Sequence, residues 1–199
     1  NTFGPRGFIE LKWLSPGLLV PLIKAGETYK LEVRSEDNSC GDGEGYRPNQ
    51  LRKIDLVSAV FADGTYEGEP ALAALIKGAA LGNRKNLEFV VETIGYSNDP
   101  TELAQQMLHL QAGMNEEVEP YLIDRLVGMF PTLTADARDT LINYIRSGMH
   151  EVKTNLRGDA QHLRAVGQHN NPQINKRAIE QIKAKYERWW TDALRIEKD

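Results

Sequence analysis

Apolar and polar residues alternate one for one along the first part of the chain. Ile9, Leu11 and Trp13 fall on one side of an extended segment, with Glu10 and Lys12 on the other. Tyr29, Leu31 and Val33 repeat the arrangement against Lys30, Glu32 and Arg34. A period of two is that of a half-buried antiparallel strand, dry on one face and wet on the other. Between these segments, residues 18–23 form an apolar run broken by Pro21, which predicts an edge strand or an irregular connection. Ala25-Gly26-Glu27 predicts a turn into the next strand. A further strand is predicted over 54–61. Asp63-Gly64 then turns the chain into a short return strand at Thr65 and Tyr66, closed by Gly68.

From residue 69 the period becomes helical. Leu72, Leu75, Ile76 and Ala79 form one stripe, which Leu87, Val90, Val91 and Ile94 continue. Gly82-Asn83 interrupts it and predicts either a kink or a close contact with another helix. Pro70 suits the first helical position, where its missing N–H costs nothing. Asp99-Pro100-Thr101-Glu102 predicts the next start, with Asp99 as cap and Glu102 completing a capping box. Leu103, Met107 and Leu110 are its apolar face, and Gly113 its end. A third helix is expected over 117–130, stopping before Pro131. A fourth is expected over 134–156, with Leu141, Ile145, Gly148, Val152 and Leu156 on one stripe. Gly158, Gly167, Asn170 and Asn171 predict a link holding a short helix. The last helix opens at Asn171-Pro172 and carries Ile174, Ala178, Ile182, Tyr186, Trp189 and Ala193 to about residue 196. Helices of this length must bury their stripes against each other. The pattern therefore predicts an α+β chain. A small antiparallel β-sandwich-like region over 1–68, roofed by helices or lacking upstream strands, precedes an all-α region of four to six helices over 69–199, packed mostly antiparallel.

Composition narrows the classes without choosing a function. The 199 residues are 41% hydrophobic and 26% charged, which is ordinary for a folded chain that needs neither disulfides nor metals to hold it together. The net charge of -4 divides into -3 over residues 1–100 and -1 over 101–199. Neither half is basic, so nucleic-acid binding through phosphates is not expected. No apolar run approaches the roughly 18 residues of a membrane span, so no transmembrane segment is expected. The opening Asn1-Thr2-Phe3 predicts a processed or trimmed chain, with export or the periplasm as the expected location and the cytoplasm as the alternative. Cys40 is the single cysteine and reads as a bland loop thiol.

The candidate chemistry is sparse. His109, His150, His162 and His169 include no pair at i, i+4, so no metal-binding histidine motif is present. Asp37, Asp42 and Glu44 lie in the polar loop 35–50 with Asn38 and Ser39. They are the candidate metal ligands, for calcium, although the spacing is not that of an EF-hand. No other cofactor is expected: Gly41, Gly43 and Gly45 have the wrong spacing to cradle a nucleotide, and Ser58 reads as a strand residue. The Glu67/Glu69 and Glu116/Glu117 pairs carry no diagnostic spacing. Trp189-Trp190 is the most unusual pair. Neighbours on a helix point about 100° apart, so Trp189 fits the buried stripe and Trp190 either widens it or is exposed. Trp190 is thus the candidate protein-binding residue.

Residues 54–69 read IDLVSAVFADGTYEGE, and residues 23–28 read IKAGET. Together they resemble a segment of uncharacterised bacterial proteins of the acidobacterial type, many of them exported, where it closes a small immunoglobulin-like β-sandwich. The resemblance covers about residues 23–70. It implies a sandwich with strands before residue 8, and export, but no catalytic residues. The loop 35–50 and the large helical partner depart from that pattern. Three functions follow as expectations. The first is a non-catalytic binding or structural module, of the bacterial envelope, with a protein or a second copy as partner. The second is a metal- or carboxylate-dependent hydrolase with its site at the β/α junction. The third is a helical oligomerisation unit built on Trp190 or the helix after residue 69.

Overall fold

The computed structural model describes residues 58–61, 63–169 and 171–196. The strands expected before residue 34 and the loop 35–50, with Cys40, Asp37, Asp42 and Glu44, lie outside the described residues. Among the described residues the sheet is one hairpin. Strand β1 (Ser58–Val60) pairs antiparallel with β2 (Tyr66–Gly68), setting Ser58 opposite Gly68, Ala59 opposite Glu67 and Val60 opposite Tyr66. The sandwich implied by the resemblance is not formed: two strands of three residues do not close into one. The physical reason is what they pack on. β2 is exposed along its length, while Val60 of β1 leans on a cluster of helical side chains, so a helix takes the place of a second sheet. The predicted α+β order holds: among the described residues this small antiparallel region precedes five α-helices.

Helix α1 (Pro70–Ile94) starts at its proline, as predicted, and runs unbroken through Gly82-Asn83. Helix α2 (Pro100–Gly113) is capped by Asp99, whose Oδ1 accepts from Thr101 N at 2.9 Å and Glu102 N at 2.8 Å. The capping box is not completed, because Glu102 accepts instead from Ser97 Oγ at 2.9 Å. Helix α3 (Pro120–Met129) starts three residues later than predicted, at the proline itself. Helix α4 (Ala135–Gly167) is one continuous element, where the sequence predicted a stop near residue 156. Gly158 does not end it, since Ala160, Leu163 and Val166 extend the buried stripe by three further turns. Helix α5 (Pro172–Ile196) is capped by Asn171 Oδ1, which accepts from Gln173 N and Ile174 N. Among the described residues, no helix is long and apolar enough to cross a membrane.

Gly158 is exposed, helical and meets nothing within 4 Å of an added Cβ. Gly158→Ala should therefore raise stability by about 0.5–1 kcal/mol, read as an increased urea midpoint.

The most extensive interface joins α1 to α4, and these two run parallel, an exception within the mostly antiparallel packing expected. Their N-terminal halves meet α3 in one cluster, built on Ala73, Ala74, Leu81, Leu122, Leu126, Phe130, Leu141 and Ile145. Their C-terminal halves meet α2 and α5 in a second, built on Leu87, Val90, Leu103, Met107, Leu156, Leu163, Ile182 and Trp189. Between the clusters the two backbones touch. A Cβ on Gly82 would lie 1.9 Å from the Ile145 carbonyl oxygen, and one on Gly148 would lie 2.1 Å from that of Ala79. The interruption at Gly82 is thus the close contact of the two alternatives, not the kink.

Candidate functional site

The hairpin, α1 and α3 border an open concavity where the β region meets the helices. Its upper wall is set by the turn. Phe61 N donates to Thr65 O at 2.8 Å and Gly64 N to Phe61 O at 3.0 Å, with Gly64 at φ 89°. That positive φ favours glycine. Asp63 Oδ1 accepts from Thr65 Oγ1 at 2.7 Å and from Thr65 N at 3.0 Å. The Thr65 hydroxyl first, then its amide, hold the Asp63 carboxyl below the usual carboxylate range. At the other end Ser58 Oγ lies 3.1 Å from Glu67 O and 3.2 Å from Glu69 O, tying both strands to the start of α1.

The floor is aromatic. Phe130, at the end of α3, is buried and meets Tyr66 with ring centroids 5.3 Å apart at 50°. Lys77 of α1 is only 4% exposed, and its ammonium sits 5.9 Å from the Phe130 centroid, a cation–π distance. Arg125, Gly128 and Met129 of α3 complete the opposite wall. The space is open on one side and measures about 730 Å³. Its described lining holds two cations and no carboxylate, in a chain of net charge -4. Lys77 and Arg125 each take part in further interactions of their own.

Two other polar groupings stand on α4. Asp159 Oδ2 accepts from Lys185 Nζ and from Tyr186 Oη, both at 2.8 Å, and Lys185 Nζ also reaches Asn155 Oδ1 at 2.8 Å. Burial first, then the Asp159 charge, pushes the Tyr186 hydroxyl far above its ordinary value, so it stays a neutral donor. This arrangement staples α4 to α5. On the other flank Glu116 takes His150 Nδ1 and Lys153 Nζ, both at 3.2 Å. Burial raises the Glu116 carboxyl, but these two partners outweigh it and leave it below its usual range. Lys85 pairs with Glu119 in the same loop.

The sequence candidates fall as follows. Asp37, Asp42 and Glu44 lie outside the described residues. Among the described residues no three His, Cys, Asp or Glu side chains converge as a metal site would require. His109, His162 and His169 are exposed and stand apart. Trp190 is partly buried and packs on the second cluster, while Trp189 is buried and stacks on Tyr186 at 6.1 Å. Lys77 was the signal missed. It interrupts the small and apolar face formed by Ala73, Ala74, Gly78 and Leu81, where a charge needs a reason. No protein-family model matches this chain, and no curated protein or solved structure matches it significantly. The resemblance drawn from residues 23–70 therefore finds no support there, and the described end of that segment is the isolated hairpin.

Proposed function

We propose that this chain is a non-catalytic binding module whose ligand enters the concavity between the hairpin, α1 and α3. The observation that supports the reading is Lys77, a nearly buried cation on an aromatic wall, facing space that Arg125 borders from α3. Such a wall fits a ligand with a flat apolar body and one negative group. Tyr66, Phe130 and Met129 would cover the body, and the cations would attract the charge. The cations serve here as fixed positive charge, so the reading does not require them to be idle. A hydrolytic site was the alternative at this junction. The described lining offers cations and aromatics rather than paired carboxylates, which favours binding over hydrolysis.

The probe is 1-anilinonaphthalene-8-sulfonate, an aromatic sulfonate, followed by fluorescence at low salt. The folded chain should bind it with its near-ultraviolet circular dichroism unchanged. Arg125→Ala should weaken binding roughly tenfold, the equivalent of one charge-assisted contact of about 1.4 kcal/mol. Lys77→Met, which keeps the stem packed, should weaken it at least as much. Affinities unaltered in both variants would overturn the reading.

A further inference from the structure

Helix α3 has ten residues, too few to persist alone in water, and buries Leu122 and Leu126 along its length. Helices α2, α4 and α5 each open on a side chain that accepts from their own first amides: Asp99, Thr134 and Asn171. Glu119 stands at the corresponding position of α3, and its side chain caps nothing there. Its carboxylate is paired with Lys85 of α1 instead. The start of α3 is therefore fixed by a neighbouring helix and not by a local cap.

The loop that leads into α3, residues 114–119, is held in the same way. Two lysines from two helices each grip one carboxylate and one carbonyl oxygen of it. Lys85 of α1 donates to the Glu119 carboxylate and, at 3.4 Å, to Glu117 O. Lys153 of α4 lies 3.2 Å from Glu116 Oε1 and donates to Met114 O at 3.4 Å. His150 Nδ1, also of α4, meets Glu116 Oε1 at 3.2 Å. Within the loop, Asn115 Oδ1 accepts from Glu117 N at 2.8 Å, and Asn115 Nδ2 donates to Glu117 Oε2 at 3.3 Å. Met114 packs on the second cluster and Val118 on the first, so the loop spans the boundary between them. The side chains of Lys85, Lys153 and Glu116 are 19%, 26% and 27% exposed, so water and salt screen these pairs less than fully exposed ones.

We propose that residues 114–119 are an ionic strap that sets the position of α3 and, through it, the affinity of the concavity. The second half of this inference rests on the binding reading above, since α3 supplies Arg125, Gly128 and Met129 to the wall and ends at Phe130 on the floor. With the strap closed, α3 lies against α1 and α4 and the wall is formed. Loss of the carboxylate charges frees the loop, and α3 loosens from its N-terminal end. Leu126 and Phe130 are buried and keep the far end seated, so the wall shifts without the chain unfolding. The coupling is reciprocal: a ligand that needs the wall in place also tightens the strap.

The test replaces the two gripped carboxylates by amides, Glu116→Gln with Glu119→Gln, in the full chain near neutral pH. Hydrogen exchange should quicken about tenfold at the amides of residues 124–127 and stay unchanged at core amides of α1 and α4, such as Val90 and Val152. Added sodium chloride should quicken α3 exchange in the wild-type chain and leave that of the variant little changed. Glu119→Lys alone should also quicken it, and Lys85→Glu with Glu119→Lys should restore much of the protection, a rescue that a packing role would not give. In the binding arm, the double amide variant should hold 1-anilinonaphthalene-8-sulfonate severalfold less tightly. Removal of two negative charges would by itself favour this anion, so a weaker affinity reports the wall. Unaltered α3 exchange, or equal quickening in α1 and α4, would overturn the strap. Quickened exchange with unaltered or tighter probe binding would overturn its control of the concavity. Failure of the wild-type chain to bind the probe would overturn the binding reading, while the exchange arm still judges the strap. The salt arm needs no variant and decides the strap if the double variant does not fold.

Discussion

Gly82→Ala should cost this protein more than about 3 kcal/mol, at the upper end of what overpacking a core does. The new methyl would stand 1.9 Å from the Ile145 carbonyl oxygen, 2.9 Å from its carbon and 3.1 Å from Met149 N. All three are backbone atoms of α4, so no rotamer change makes room. The helices must part, and parting them loosens both clusters, since α1 and α4 supply residues to each. Gly148→Ala meets the backbone of α1 in the same way, at 2.1 Å from Ala79 O. The two changes act on one crossing and should be less than additive: once the helices are apart, the second methyl finds space. Urea unfolding of the three variants checks this. A loss below about 1 kcal/mol for either single change would mean that the crossing is looser than described.

Asp159→Ala should cost about 2 kcal/mol, less than a fully buried pair because both charged partners are partly solvated. The change removes the acceptor of the Tyr186 hydroxyl, whose side chain has no exposed surface, and the counter-ion of Lys185. Asp159→Asn keeps an acceptor for Tyr186 and loses the ion pair, so it should fall between. Tyr186→Phe removes the donor and should cost about 1 kcal/mol. A double-mutant cycle over Asp159 and Tyr186 should then return a coupling of about 1 kcal/mol. Additive losses would show that the hydroxyl finds another acceptor.

The helical half was legible because its stripes are long and its caps carry their own chemistry. Asp99, Pro70 and Asn171-Pro172 each mark a start that the structure keeps, whereas the start expected at 117 moves to Pro120. Gly158 misled because a glycine weakens a helix without ending it when the stripe beyond still buries Ala160, Leu163 and Val166. The sandwich was an inference from turn chemistry. Asp63-Gly64 does specify a hairpin, with Gly64 at a positive φ, but a turn says nothing about what lies across the strands it joins. The concavity was harder to see. Lys77, Tyr66 and Arg125 come from three separate elements, and no spacing relates them. Only the lysine's place on an apolar face hinted at it. Gly82-Asn83 was visible as an interruption of a stripe, but only the structure shows α4 pressed against it.

The parallel course of α1 and α4 also bears on the order in which the chain assembles. Two helices that run the same way cannot be joined by a short turn, and here α2, α3 and their loops intervene. Asn86 meets Met149 across 63 positions. Closing a loop of that size costs chain entropy before any contact repays it, so local pairs such as α4 with α5 gain the earlier start. The glycine contact between α1 and α4 is then expected among the last steps of assembly. Stability lost there in the Gly82 variant is accordingly expected as faster unfolding at nearly unchanged refolding rate. This close seam between the two helices is thereby expected to govern how long the native state lasts more than how quickly it is reached.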